Sequence, residues 1–407
     1  MKFLSKNLSK IKNKTVLLRL DLNEPVDSNG KLLDDFRLQS VLPTIQALHK
    51  ANCKIIIMAH RGRPDGQWQT EFTLEPIAKR LADLLAYKFV ATDSKITDYP
   101  INHVVFYQGS ILESSTKQQI EQCETQNIIV LENIRFYEGE EKNSASFATK
   151  LASLADVYVN DAFAVSHRKS SSVVAITEKL PSYAGLLLER EIVHLDKLLG
   201  ARIKKPFVLM MGGIKISDKA KTLAHLGAKA DRILLGGGLA NLLFAAQGKE
   251  IGKSVYEESS LPLAKQILLN FKEKIVLPVD VVSGTTQRGQ IVSKPVYQIK
   301  ASDNIFDIGP KTILEFSQYL KSAGTICWNG PLGFFEKKPF HTGTAALARV
   351  IGGVGKRKAY TVAGGGETVA AVRETHQFEH YDHVSTGGGA MLEYLSGKEL
   401  PGIKALN

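Results

Sequence analysis

Arginines and glycines end the apolar runs of this chain, in different halves. In residues 1–170 the runs stop at Arg19-Leu-Asp21-Leu-Asn23, His60-Arg61-Gly62-Arg63-Pro64, Glu132-Asn133-Ile-Arg135 and Asp161 through His167-Arg168. In residues 206–390 they stop at Gly212-Gly213, Gly236-Gly237-Gly238, Gly330-Pro331, Gly364-Gly365-Gly366 and Gly387-Gly388-Gly389. Guanidinium forks match the oxygens of phosphate and carboxylate groups. Glycine lets backbone N–H groups approach a polyphosphate, above all where a helix begins. The halves therefore read as two sites, one for a small acidic metabolite and one for a nucleotide. Both would lie outside the carboxyl ends of strands, where open α/β sheets bind ligands.

Arg37, Arg61, Arg63, Arg135 and Arg168 all fall in or just after such strand ends, which favours an anion site over scattered surface ion pairs. His60 and His167 each neighbour an arginine and suit either a donor to the anion or a structural role. Asp21 and Asn23 suit either a contact to a substrate hydroxyl or a loop cap. Lys215 and Lys219 stand four apart at the opening of a helix, directly after a strand that runs into glycine. That context suits a phosphate clamp better than the solvated face such spacing usually means. Gly364-Gly-Gly-Glu367-Thr368 repeats the strand, glycine, helix order. It offers free N–H donors to phosphate and a carboxylate to Mg²⁺. Gln247 through Ser254 resembles a P-loop, yet has glutamine where glycine is needed and follows a helix-like run, Leu239–Ala246. It is read as a helix-terminating turn.

The elements that must position these groups show as continuous apolar runs, not alternating ones, so they suit strands buried on both faces. They are Val16–Leu20, Ile55–Ala59, Val104–Tyr107, Ile128–Leu131, Val157–Val159, Phe207–Met211, Ile233–Leu235, Ile275–Val282, Thr325–Trp328, Tyr360–Ala363 and Val384. Helix-like segments alternate with them, among them 38–50, 74–86, 219–229, 261–272 and 310–321. The alternation predicts α/β architecture, with two doubly wound (Rossmann-like) parallel-sheet domains joined by a hinge helix. Pro181 to Gly185 reads as a turn and Leu186–Leu199 as one long helix. The expected organisation is a first domain over 1–172, a connector and hinge helix over 173–205, and a second domain over 206–390. A C-terminal segment, 391–407, completes it.

Bulk properties agree. A length of 407 residues suits about two domains, and 44% hydrophobic with 23% charged residues is ordinary for a globular protein. No apolar run approaches the ~18 residues of a membrane span, and Met1 to Lys14 is too polar for a signal peptide. Cys53, Cys123 and Cys327 are odd in number and far apart, which predicts reduced thiols in a cytoplasmic protein. The net charge is +11, but lysines and arginines are dispersed along the chain without a basic tail or nucleic-acid motif. A basic surface and an attraction for acidic substrates are the preferred reading, with no obligate nucleic acid and no membrane partner.

Taken together, these strings resemble the phosphoglycerate kinase family nearly end to end. Further matching strings are Lys215-Ile-Ser-Asp-Lys219, Asp307-Ile-Gly-Pro-Lys311, Trp328 through Glu336 and Ser385 through Ala390. The resemblance implies a monomeric, two-domain glycolytic enzyme. Its first domain would bind 3-phosphoglycerate or 1,3-bisphosphoglycerate, and its second Mg²⁺ with ATP or ADP. It implies that Asp21 and Asn23 hold the glycerate part, and that Arg37, His60, Arg63, Arg135 and Arg168 hold the phosphate and carboxylate ends, with Arg61 and Gly62 in the same string. It implies Lys219 on the nucleotide phosphates and Glu336 on the ribose. Gly365, Gly366, Glu367 and Thr368 would take the phosphate–metal region, with Glu367 as metal ligand. Arg37, Lys215 and the helix start at Gly387 and Gly388 would face the transferring phosphoryl group. The family's C-terminal segment usually packs back on the first domain. Three positions depart from the family's pattern: Arg61 and Glu24 stand where apolar residues are common, and Glu367 replaces the usual aspartate.

The reaction so implied needs no general base in the direction that phosphorylates a carboxylate, because a carboxylate with a pKa of about 4 is already ionised. Positioning and charge neutralisation remain, across two domains that must close to exclude water. A non-enzymatic anion-binding module and a different ATP-dependent acid kinase are the alternatives that an assay must separate.

Overall fold

The structure is a computed structural model that describes residues 1–27, 30–97, 99–286 and 289–407. The chain divides inside a helix into two compact units, Met1–Ile192 with Glu399–Asn407 (unit 1) and Val193–Lys398 (unit 2).

Unit 1 is built on seven strands: β1 (Thr15–Arg19), β2 (Lys54–Met58), β3 (Lys88–Thr92), β4 (His103–Tyr107), β5 (Ile128–Leu131), β6 (Val157–Asn160) and β7 (Ser182–Ala184). They pair in parallel in the order β3-β4-β5-β2-β1-β6-β7. The central strands are buried on both faces, which is why their runs do not alternate. The helices are α1 (Phe36–Lys50), α2 (Glu75–Leu85), α3 (Ser114–Gln122), α4 (Ala145–Ala152) and α5 (Leu186–Leu199), the last crossing into unit 2. Helix α2 starts with Pro76 in its first turn, buries Ile77, Ala78, Leu81 and Ala82 at helical spacing, and stops at Ala86 in the left-handed region. Each such Ile or Leu, packed into the core with Val16, Leu18 and Ile57, contributes roughly 1.5–3 kcal/mol.

Unit 2 contains β8 (Phe207–Met211), β9 (Arg232–Leu235), β10 (Ile275–Val276), β11 (Asp280–Gly284), β12 (Ile291–Pro295), β13 (Asn304–Ile308), β14 (Thr325–Asn329), β15 (Tyr360–Gly364) and β16 (His383–Ser385). Six form a parallel sheet, β10-β9-β8-β14-β15-β16, and three an antiparallel sheet, β12-β11-β13. Its helices are α6 (Ala220–Lys229), α7 (Gly237–Ala246), α8 (Leu261–Phe271), α9 (Pro310–Ser322), α10 (Thr342–Val354), α11 (Gly366–Glu374) and α12 (Gly389–Leu395). A last short helix, α13 (Pro401–Lys404), belongs to unit 1. The fold is therefore two parallel-sheet α/β domains.

Several elements differ from expectation. The single run 275–282 is two strands, because Pro278 has no N–H to give a ladder, and β11 turns into the antiparallel sheet. The edge strands β3 and β7, and strands β12 and β13, lack the buried apolar run that marks central strands; β7 lies where a turn is expected. Residues 247–254 follow α7 as a turn, and Ser254 there binds the second sheet by accepting the N–H of Ile305 at 2.8 Å. All three cysteines are buried free thiols. Among the described residues no helix is long and apolar enough to cross a membrane.

Candidate active site

In unit 1 the loops after β5, β2, β1 and β6 leave four adjacent strands at their carboxyl ends. They carry predicted site residues, and hydrogen bonds tie three of them, after β5, β2 and β1, together at Gly62. Its N–H donates to Asn23 Oδ1 at 3.0 Å and its carbonyl accepts Arg135 Nη1 at 2.7 Å. Gly62 has φ +64°, and a Cβ there would meet the Phe72 ring at 2.2 Å, so only glycine fits this junction. Arg37, in the first turn of α1, reaches Asp21 Oδ2 at 3.3 Å and donates to the carbonyl of Asn23 at 2.6 Å.

His60 is buried, and its pKa is pushed well below the ordinary value, by burial first and then by the charges of Arg19, Arg135, Arg168 and Arg37. Four guanidiniums thus surround one neutral imidazole. Arg19 Nη2 stands 3.3 Å from His60 Nδ1, and because arginine can only donate, Nδ1 accepts and Nε2 carries the proton. Arg135 is buried and lowered to about 10 by desolvation, against the pull of Glu141, 3.3 Å from its Nε. Arg168 is half-buried and Arg63 exposed. Four positive groups with few counter-charges are what a doubly anionic ligand requires.

Arg61 differs from the rest. Its Nη1 donates to the carbonyl of Thr73 at 3.1 Å, and Glu132 and Glu71 oppose the lowering of its pKa by burial. One arm of its guanidinium is thus held within unit 1. Two residues that the sequence reading names without giving them a site role join the cluster. Arg19, at the end of β1, also donates to Ser172 Oγ at 2.8 Å, which donates to Glu140 Oε1 at 2.6 Å. Its place at the end of an apolar run is the sequence signal of it. Glu24 is buried, and its Oε1 accepts the N–H groups of Arg37 at 2.6 Å and Leu38 at 3.2 Å. It thereby does for α1 what a capping side chain normally does, and holds the turn that carries Arg37. Burial raises its carboxyl to about 7, against the Arg37 charge and the two N–H bonds.

In unit 2 the glycine ends of β8, β9, β14, β15 and β16 surround two cavities of 590 Å³ each. Lys219 and Glu367 line both. The first cavity has apolar walls, Ile214, Val255, Phe306 and Leu332, with Lys215 and Glu336 at its edge. The second is walled by Gly330, Gly365, Gly366, Thr368, Gly388 and Gly389. Gly365 takes φ +102° as the residue before α11, and a Cβ there would stand 2.9 Å from Asn329 Nδ2. Gly388, with φ +45°, precedes α12 in the same way. Gly387 is buried and donates to Ser385 Oγ at 3.0 Å. Thr368 Oγ1 accepts the N–H of Gly330 at 2.7 Å, so its hydroxyl joins β14 to α11. Lys215 lies in the loop before α6 and Lys219 directly precedes the helix. Burial lowers the pKa of Lys219, opposed by Glu367 and Asp218. Glu367 is raised by desolvation and by a hydrogen bond and charge from Glu336, against Lys219. The Glu367 carboxyl, beside the N–H groups that open α11, is a hard oxygen donor of the kind that fits Mg²⁺, which takes one or two carboxylates and completes its shell with water and phosphate oxygens.

The comparisons with known proteins agree along the whole chain. The family model described as phosphoglycerate kinase matches residues 6–398. A phosphoglycerate kinase of Coprothermobacter proteolyticus is 40% identical over 413 residues, covering 100% of this chain and 99% of that one. One of Chloroflexus aggregans is 40% identical, covering 97% and 96%. Solved phosphoglycerate kinases from Coxiella burnetii (35% identity, TM-score 0.79, covering 97% and 96%) and Pyrococcus horikoshii (30%, 0.83, covering 100% and 98%) share the fold. With an arginine cluster on one parallel sheet and a glycine-walled double cavity on another, the chain belongs to the phosphoglycerate kinase family of phosphotransferases.

Proposed function

We propose that the chain carries out its family's glycolytic reaction, phosphoryl transfer between the acyl phosphate of 1,3-bisphosphoglycerate and ADP, with the glycerate phosphate held on unit 1 and the Mg-nucleotide on unit 2. The observation that carries this division is the set of four arginines around neutral His60. In this reading Arg135, Arg168 and Arg63 take the anionic ends of the glycerate, Asp21 and Asn23 its hydroxyl part, and His60 donates through Nε2. The apolar-walled cavity takes the nucleoside, with Glu336 toward the ribose, and the glycine-walled one takes the phosphates. Gly365, Gly366 and Thr368 line the phosphate path, with Lys219 at the junction of the two cavities. Mg²⁺, when bound through Glu367, supplies charge neutralisation between nucleotide phosphates.

Arg37, Lys215 and the N–H groups of Gly388 and Gly389 at the start of α12 neutralise the moving phosphoryl oxygens, which is the main demand of such a transfer, while the Gly387 N–H is held by Ser385 Oγ. Because the two ligand sets belong to different units, turnover requires closure, with α5 as the hinge. We also read the enzyme as monomeric and cytoplasmic. A coupled assay that follows acyl phosphate formed from 3-phosphoglycerate and MgATP tests the function. Saturable turnover with 3-phosphoglycerate but not with acetate or aspartate supports it, and preference for either of the latter refutes it.

A further inference from the structure

The net charge of +11 is not shared between the units. Unit 1 has 25 Lys and Arg against 24 Asp and Glu; unit 2 has 27 against 17, a net +10. Within unit 2 the topology gathers cations at the amino ends of the parallel strands, away from the glycine loops. Strands β10, β9, β8, β14 and β15 stand side by side. The segments that enter them, 272–274, 229–232, 200–206, 321–324 and 356–358, hold eleven Lys and Arg against two acids, Asp231 and Glu273. Nine of the eleven are exposed. The next strand, β16, is entered past Glu379 and Asp382, so the basic rim ends at β15.

Part of this charge has a local use. Lys204, Lys205, Lys229, Lys274, Lys356 and Lys358 donate to backbone carbonyls, several of them in the last turns of helices. That use does not consume the field. Helices α5, α6, α8, α9 and α10 each bring about −0.5 charge to this rim, about −2.5 in all, against a side-chain excess of nine positive charges. The rim runs across four strand spacings, about 19 Å. A 460 Å³ cavity opens on it between Lys205, Asp231, Arg232 and Tyr319, with Arg232 lying 5.8 Å from the Tyr319 ring centroid. Asp231 there is paired with Lys205 at 3.1 Å.

We propose that this rim is a binding surface for single-stranded RNA. A row of exposed cations tracks a phosphate backbone, and an Arg–Tyr pair beside a cavity gives a base a stacking face. An anionic bilayer is the poorer fit, because none of the exposed large apolar side chains falls in the five rim segments.

Fluorescence anisotropy with a labelled 20-nucleotide RNA of mixed sequence tests the proposal. Four phosphate contacts give a log–log salt slope of about −3, an affinity loss of about 50-fold between 50 and 200 mM salt. Lys321→Glu with Arg357→Glu, two exposed rim cations outside the carbonyl-capping set, should weaken binding at least about tenfold and leave kinase kcat and KM unchanged. Lys300→Glu with Lys311→Glu, the same charge change outside the five segments, should leave binding within about twofold. The proposal is overturned by absence of binding at 50 mM salt, by equal loss in both variants, or by competition from saturating MgATP. Binding to phosphatidylglycerol vesicles in preference to RNA also overturns it.

Discussion

Replacing Glu24 with glutamine should stabilise the protein in a pH-dependent way. Glu24 is 5% exposed and accepts two N–H groups from the first turn of α1. Its carboxyl stands at about 7, against 4.5 in an unperturbed chain. At about 1.36 kcal/mol per pKa unit, the ionised carboxylate costs the folded state about 3 kcal/mol relative to its protonated form. Between pH 4.5 and 7 the unfolded chain has lost this proton and the folded protein keeps it, so Glu24 makes stability fall as pH rises through that window. The full cost is present above pH 7 and absent below 4.5. Glutamine keeps the acceptor and the shape but has no charge to bury. The variant should match the native protein near pH 4.5 and exceed it by about 2–3 kcal/mol at pH 8. Urea unfolding followed by circular dichroism at several pH values measures the difference. A difference that does not change with pH, or a variant less stable at pH 8, would refute the reasoning.

Other expectations concern the two ligand sites. Arg37→Ala should lower kcat by about 10²–10³-fold with little change in nucleotide KM; equal loss in both would make Arg37 merely structural. Glu367→Asp should shift the Mg²⁺ concentration for half-maximal rate, since the shorter side chain alters its meeting with Glu336 and the ion; superimposable titrations would remove that role. Gly365→Ala, forced to φ +102° with its Cβ 2.9 Å from Asn329, should cost about 1–2 kcal/mol of stability and raise the KM for nucleotide but not for 3-phosphoglycerate. X-ray scattering should show compaction only when both ligands are present; no change in the ternary state would exclude closure.

The strand ends were legible because parallel strands buried on both faces leave continuous apolar runs, and because ligand loops follow them. That logic reaches Arg135 and Arg168; Arg37, expected at a strand end, instead stands in the first turn of α1, well after β1 has ended. At Arg61 one Nη1 donor goes to the Thr73 carbonyl, a tie within unit 1 that the strand-end pattern does not predict. That pattern marks Glu24 only as an unusual residue and not as a cap, because a cap supplied from 13 residues upstream has no local spacing signature. The basic rim was hidden for a related reason: its residues are spread over more than 150 positions, and only the parallel sheet order brings the five segments to one end. Glu336 and Glu367 read as separate ligands in sequence and prove to be partners in space.

The central claim is direct transfer of a phosphoryl group from the acyl phosphate to the nucleotide. Phosphorus NMR of the enzyme with 1,3-bisphosphoglycerate and MgADP follows both ends of that transfer at once. Loss of the acyl phosphate resonance matched by equal growth of the ATP γ-phosphate is the predicted result. Loss to inorganic phosphate, or binding of both ligands with no change in either resonance, would contradict the account.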